Sequence, residues 1–139
     1  MSIDNLDTVK QLIAEKECGR VEFKETTGQL ERGMETLCAF LNGEGGTVLF
    51  GVTDKGKIIG QDVSDKTRRD IAEAINRLEP MAAVQISYAP LSDSEKKVIA
   101  FHVENSKLNR PFSYKGRPYM RVESCLLYTS PSPRDTERS

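Results

Sequence analysis

The 139-residue chain holds one histidine, three cysteines and no tryptophan. With His102 alone, a histidine-rich zinc centre or a Ser-His-Asp triad would have to be built around one residue lying in an apolar strand pattern, which argues against both. The cysteines, Cys18, Cys38 and Cys125, are odd in number and widely spaced. They supply neither a disulfide framework nor a Cys-x-x-Cys metal pair, and they suit a reducing cytoplasm. No apolar run approaches the roughly 20 residues of a membrane-spanning helix, and MSIDNLDTVK has no signal-peptide core. What remains, 37% hydrophobic and 29% charged residues, describes a soluble globular domain. At this length it buries about two-thirds of its unfolded surface.

Excess charge of either sign is also missing, since the net charge is −1. The balance is local rather than uniform. Five basic residues and no acidic ones lie between Lys107 and Arg121, whereas seven glutamates fall between Glu15 and Glu44. The first segment is suited to phosphates, the second to cations or to water.

Periodicity gives an α+β order. Ile3, Leu6, Val9, Leu12 and Ile13 recur at helical spacing, so residues 3–16 read as an amphipathic helix with Ser2 as its cap and Gly19 as its end. Residues 20–24 alternate as a strand, with Val21 and Phe23 on one face and Arg20, Glu22 and Lys24 on the other. A second helix is expected over 31–42, stopped by Asn42-Gly43 with the glycine left-handed. The near-continuous apolar run 47–52 reads as a strand covered on both faces. It is followed by a turn at Asp54-Lys55-Gly56-Lys57 with Gly56 at positive φ. A third helix over 65–79 is closed by Pro80. Strands at 83–88 and 97–104 follow, then a hairpin, 112–114 with 119–122, turning at Lys115-Gly116; Pro118 belongs at a strand start or an edge. The expected architecture is a mixed sheet with about three helices, in one domain over residues 1–123. Residues 124–139 break the pattern and read as a tail derived from vector or adaptor sequence, with a natural Pro/Ser-rich linker as the alternative.

Three groups of residues carry chemistry. Gly51–Ile58 nearly matches a phosphate-binding loop, but Ile58 replaces the magnesium-holding hydroxyl and a strand follows where a helix is required. Glu22 and Lys24, two apart on a strand, point the same way, as in metal-dependent nucleases that pair a carboxylate on Mg²⁺ with a lysine near the scissile phosphate. Glu17 and Asp54 would complete an oxygen set for a hard cation. The plainer reading makes Asp54 a turn residue, Glu22 a partner of Lys24 or Arg20, and Glu17 a helix end. Third, Lys107, Arg110, Lys115, Arg117 and Arg121 are interleaved with Phe112, Tyr114 and Tyr119, and Arg68-Arg69 extends the surface. Cations neutralise phosphates and aromatic faces stack on unpaired bases, so this set reads as a nucleic-acid-binding surface with Tyr114 among its contacts. The alternative is that the aromatics are core and the cations only solubilise. Met34, Leu37, Leu41, Ile71, Ile75 and Leu78 read as core, and a bare sheet edge invites a homodimer.

The stretch Glu17–Gly60, densest in AFLNGEGGTVLFGVTDKGKIIG, resembles the Schlafen-type Alba-like domain, and the likeness extends to about Val122. That resemblance implies a cytoplasmic nucleic-acid-binding domain from the N-terminal part of a longer transcriptional regulator, with DNA the expected ligand and no cofactor needed to bind it. It also implies a rival from the enzyme class, a Mg²⁺- or Mn²⁺-dependent endoribonuclease. In that reading Glu17 and Glu22 match the paired glutamates, Asp54 matches the aspartate after Gly51-Val52, and Lys24 assists. Some members carry a divergent-ATPase label, but the failed loop motif argues against ATP here. A third reading is a protein-interaction or dimerisation module.

Overall fold

The computed structural model describes residues 5–14, 19–92, 94–104, 111–122 and 125–128. The elements are α1 (Leu6–Ala14), β1 (Val21–Lys24), α2 (Leu30–Leu41), β2 (Gly45–Phe50), α3 (Asp65–Ile75), β3 (Leu78–Glu79), β4 (Gln85–Pro90), β5 (Lys97–Glu104), β6 (Ser113–Tyr114), β7 (Arg117–Val122) and β8 (Cys125–Tyr128). This is an α+β fold with two sheets, ordered β1-β2-β5-β4 and β3-β6-β7-β8.

The first sheet is mixed. β1 runs parallel to β2, while β5 is antiparallel to both β2 and β4. Every residue of β2 is buried, as its continuous apolar run requires of a strand covered on both faces. One face carries Val48, Phe50, Ile99, Phe101 and Val103 against α2 and α3. The opposite face carries Val21, Phe23, Leu49, Val98 and Ala100 against Val9 and Leu12 of α1. Alternation along each strand thus sorts side chains into two separate apolar clusters.

Helix ends differ from expectation in instructive ways. Within the described residues α1 begins after Asn5, whose Oδ1 accepts hydrogen bonds from the Thr8 backbone N–H (3.0 Å) and hydroxyl (3.2 Å). The expected cap, Ser2, lies outside those residues. α3 opens on a capping box in which Ser64 and Thr67 exchange side-chain-to-backbone hydrogen bonds. It stops at Ile75 rather than 79, because Leu78 and Glu79 leave the helix to pair with Tyr114 and Ser113. Leu78 is buried as its helical spacing promised, but from a strand. β4 begins at Gln85, two residues later than expected. α2 closes through the Gly43 N–H to Phe40 carbonyl bond at 3.0 Å, and the left-handed residue is Gly45 (φ 86°), not Gly43. The turn after β2 agrees with its reading: Gly56 has φ 88°, and Val52 bridges Ile58. Residues 125–128, part of the tail set aside from the sequence pattern, form β8 against β7.

Candidate nucleic-acid interface

The basic hairpin is β6–β7. Lys115 (φ 53°) and Gly116 (φ 80°) are both left-handed, the geometry of a two-residue type I′ turn, whose twist matches that of the flanking strands. Gly116 adopts it without strain and Lys115 does not. Side-chain amide chemistry holds the hairpin onto the end of α2. Asn42 Nδ2 donates to the carbonyls of Phe112 (2.9 Å) and Tyr119 (2.8 Å). The buried Cys38 thiol donates to the Phe112 carbonyl at 3.4 Å, and burial pushes its pKa up to about 11.

The turn is also tied to α3. β3 pairs with β6, and the Lys115 N–H donates to the Arg77 carbonyl at 3.3 Å. Two cations far apart in sequence, Arg77 and Lys115, are thereby neighbours. Both reach one carboxylate on α2: Glu31 lies 2.6 Å from Lys115 Nζ and 3.8 Å from Arg77 Nη1. The Tyr114 hydroxyl donates to the same group at 2.8 Å. Burial alone would raise the Glu31 pKa, but the hydrogen bonds from Lys115 and Tyr114 and the two positive charges outweigh it and hold the carboxyl below its ordinary value.

Tyr114 must therefore be reassigned. It is 1% exposed and its hydroxyl is committed to Glu31, so its ring offers no face to a base. Burial and the adjacent carboxylate both raise its pKa. Phe112 and Tyr119 are buried as well, so the aromatics of the basic segment are its core, while its described cations, Lys115 and Arg117, are exposed. Arg117 is exposed beside Pro118, which pairs with Ser113 in the hairpin. Arg68 lies over the ring of Tyr88, its guanidinium carbon 4.5 Å from the centroid, so it bridges α3 to β4; Arg69 is exposed on α3. Lys107 and Arg110 lie outside the described residues. Arg121 is placed only as a backbone position in β7.

Sequence reasoning missed Arg77 and Glu31. Arg77 follows the C-cap Asn76 of α3 and belongs to no charge run, and Glu31 is one glutamate among seven. Only the β3–β6 pairing brings them together.

The carboxylate constellation is partly assembled. Glu22 and Lys24 flank Phe23 and align with Val48 and Phe50 of β2, which places them on the α2 side of the sheet at its β1 edge. Lys24 Nζ is 3.5 Å from Glu22 Oε2, and both side chains are largely sheltered. The Lys24 carbonyl accepts from the N–H groups of Gly51 (2.8 Å) and Val52 (3.2 Å), which draws the turn bearing Asp54 to the end of β1. Glu17 lies outside the described residues. Among those described, no three His, Cys, Asp or Glu side chains gather as metal ligands would. After Gly56-Lys57 the chain returns to pair with Val52, so no helix N-terminus follows the glycine turn.

His102 forms an unforeseen chain: Nδ1 is 2.8 Å from Thr47 Oγ1 and Nε2 is 2.6 Å from Glu104 Oε2. The pattern of hydroxyl, imidazole and carboxylate is that of a nucleophilic triad. Thr47, however, is 2% exposed, so its hydroxyl is presented to no substrate. The chain satisfies a buried hydroxyl, and the histidine hydrogen bond holds the Glu104 carboxyl below its ordinary pKa.

The family model described as "Schlafen, AlbA_2" matches residues 17–125. The chain belongs to the Schlafen AlbA_2 family. Among solved structures, this AlbA_2 domain is similar to the DIP2311 protein from Corynebacterium diphtheriae, at 20% identity and a TM-score of 0.58. The alignment covers 89% of this chain and 26% of that one, so the AlbA_2 domain spans about a quarter of the other protein's length. At that identity the likeness is one of fold. No curated protein sequence matches the chain. Among the described residues of the AlbA_2 domain, no helix is long and apolar enough to cross a membrane.

Proposed function

We propose that this AlbA_2 domain binds nucleic acid, DNA foremost, through its phosphate backbone, as the binding part of a cytoplasmic transcriptional regulator. The observation that carries this reading is the docking of the β6–β7 turn on the end of α3, which sets Arg77 beside Lys115. Arg117 lies on the same hairpin and Arg69 on the same helix. Cations gathered from separate segments neutralise successive phosphates and release counterions, whatever the base sequence. The burial of Phe112, Tyr114 and Tyr119 favours backbone contact over base stacking.

The test is fluorescence anisotropy of labelled duplex and single-stranded oligonucleotides across a salt series. If five phosphates are engaged, the log–log slope is about −4.5 on duplex and about −3.5 on single strands. Charge reversal at Arg117 and Arg121 should abolish binding, and unchanged affinity would sink the assignment of this surface.

A second reading, a metal-dependent endoribonuclease, is favoured by one observation. The Lys24 carbonyl anchors the loop of Asp54 against the strand that carries Glu22.

A further inference from the structure

We propose that Glu31 is an internal stand-in for a nucleic-acid phosphate, occupying Lys115 and Arg77 in the unbound domain and giving them up when a phosphodiester arrives. The proposal rests on the reading of this face as a nucleic-acid surface.

The geometry is that of an anion site already filled by the protein's own anion. Lys115 approaches Glu31 Oε1 at 2.6 Å, while Arg77 and the Tyr114 hydroxyl share Oε2 at 3.8 and 2.8 Å. Two cations and a hydroxyl converging on one carboxylate are the donors that a phosphodiester's two non-bridging oxygens would recruit. The pairing is open to exchange, because the side chains of Lys115, Glu31 and Arg77 are 51%, 49% and 44% exposed. Ion pairs that wet are weak and yield to a competing polyanion.

The three partners do not leave together. Tyr114 is buried, and its hydrogen bond keeps Glu31 on the hairpin. A phosphate drawing Lys115 and Arg77 outward would leave that anchor in place. Glu31 of the acidic run is thus laid against Lys115 of the basic run, and through it α2 sets how much positive charge the turn shows.

The consequence is a gain of function on removing an acid. Glu31→Gln keeps an acceptor for Tyr114 but releases both cations. Affinity for a labelled 20-nucleotide single strand should rise roughly three- to ten-fold at low salt, and the salt slope should steepen by about 1.4, the value for two added phosphate contacts. Glu31→Asp, which keeps the charge but is too short to span all three partners, should give a smaller rise and guards against a fold defect in the first variant. Adding Arg77→Gln and Lys115→Gln to Glu31→Gln should erase the gain. Glu95→Gln, an exposed carboxylate on the β4–β5 loop, controls for net charge.

An equal gain in Glu95→Gln, or a gain that survives loss of both cations, would overturn the proposal. So would unchanged affinity in folded Glu31→Gln while charge reversal of Arg117 and Arg121 still abolishes binding, and that result would leave the surface assignment standing. Binding by neither wild type nor Glu31→Gln would overturn both.

Discussion

Asn42 and Phe112 pair in both directions: the Phe112 N–H donates to Asn42 Oδ1 at 2.6 Å, and Asn42 Nδ2 returns a bond to the Phe112 carbonyl. An amide side chain here imitates one rung of a β-ladder. A third bond, to the Tyr119 carbonyl, joins the return strand to the same residue. Asn42→Ala should strand the Phe112 N–H and the Tyr119 carbonyl and leave the Phe112 carbonyl to the weak Cys38 thiol donor alone. The expected loss is about 2–4 kcal/mol by urea denaturation, given roughly 1–3 kcal/mol for each stranded group and partial rescue by water. A loss below about 1 kcal/mol would show that water replaces the amide fully.

Gly33 lies within α2, where glycine normally costs a helix about 1 kcal/mol relative to alanine. A Cβ there would stand 2.5 Å from Cζ of buried Phe50. Gly33→Ala is therefore expected to destabilise by roughly 1–3 kcal/mol despite its better propensity. Combining it with Phe50→Leu should cost less than the sum of the two changes. Strict additivity, read from thermal melts, would contradict the contact.

Lys115 separates folding from binding. Its left-handed backbone costs of order 1 kcal/mol, which Gly would relieve, and the ion pair lost with it is exposed and weak. Lys115→Gly should leave stability within about 0.5 kcal/mol of wild type and still weaken nucleic-acid binding, whereas Lys115→Val should destabilise by more than about 1 kcal/mol. Equal stability of the two variants would refute the turn assignment.

Glu31 fixes the sign of one pH effect. Its pKa is lower folded than unfolded, so the unfolded chain takes up more protons in the intervening window, and stability there rises with pH. The contribution is complete above the unfolded value of roughly 4.3 and is lost as pH falls through the folded one. Since the group is half-exposed, less than about 1 kcal/mol is expected. Glu104, lowered through His102, acts in the same direction. Subtracting a Glu31→Gln denaturation series from wild type between pH 6 and 3 isolates the Glu31 share. A difference that does not shrink on acidification would contradict it.

The binding and nuclease readings part on a chelator. Binding through cations should be unchanged in EDTA, and transfer RNA incubated with Mn²⁺ should run intact on a denaturing gel. Discrete Mn²⁺-dependent fragments that vanish in folded Glu22→Gln would instead make the carboxylates of β1 and the Asp54 turn an active site.

Much of this was legible in the chain. The strands β1, β2 and β5 follow from alternation or apolar continuity, and the Gly56 and Lys115-Gly116 turns from their glycines. Legibility failed where long-range pairing overrode local pattern. Leu78 keeps helical spacing with Ile71 and Ala74, yet pairs with Tyr114 as a strand, because a partner from 36 residues onward satisfies its backbone. The aromatics of the basic segment alternate with cations as a stacking surface would, and alternate equally well as one buried and one wet face of a hairpin. Charge clusters were the least legible, since Arg77, Lys115 and Glu31 are brought together only by the second sheet.

The thiol of Cys38 is shut away beneath the strand it touches, and its raised pKa leaves it almost wholly protonated at neutral pH. Alkylating reagents attack the thiolate alone, so the folded domain should be nearly inert at this position. Each lifting of the hairpin from α2 would bare the sulfur for an instant. The rate at which the Cys38 peptide gains mass in iodoacetamide is therefore a clock for that opening, built into the domain without any label.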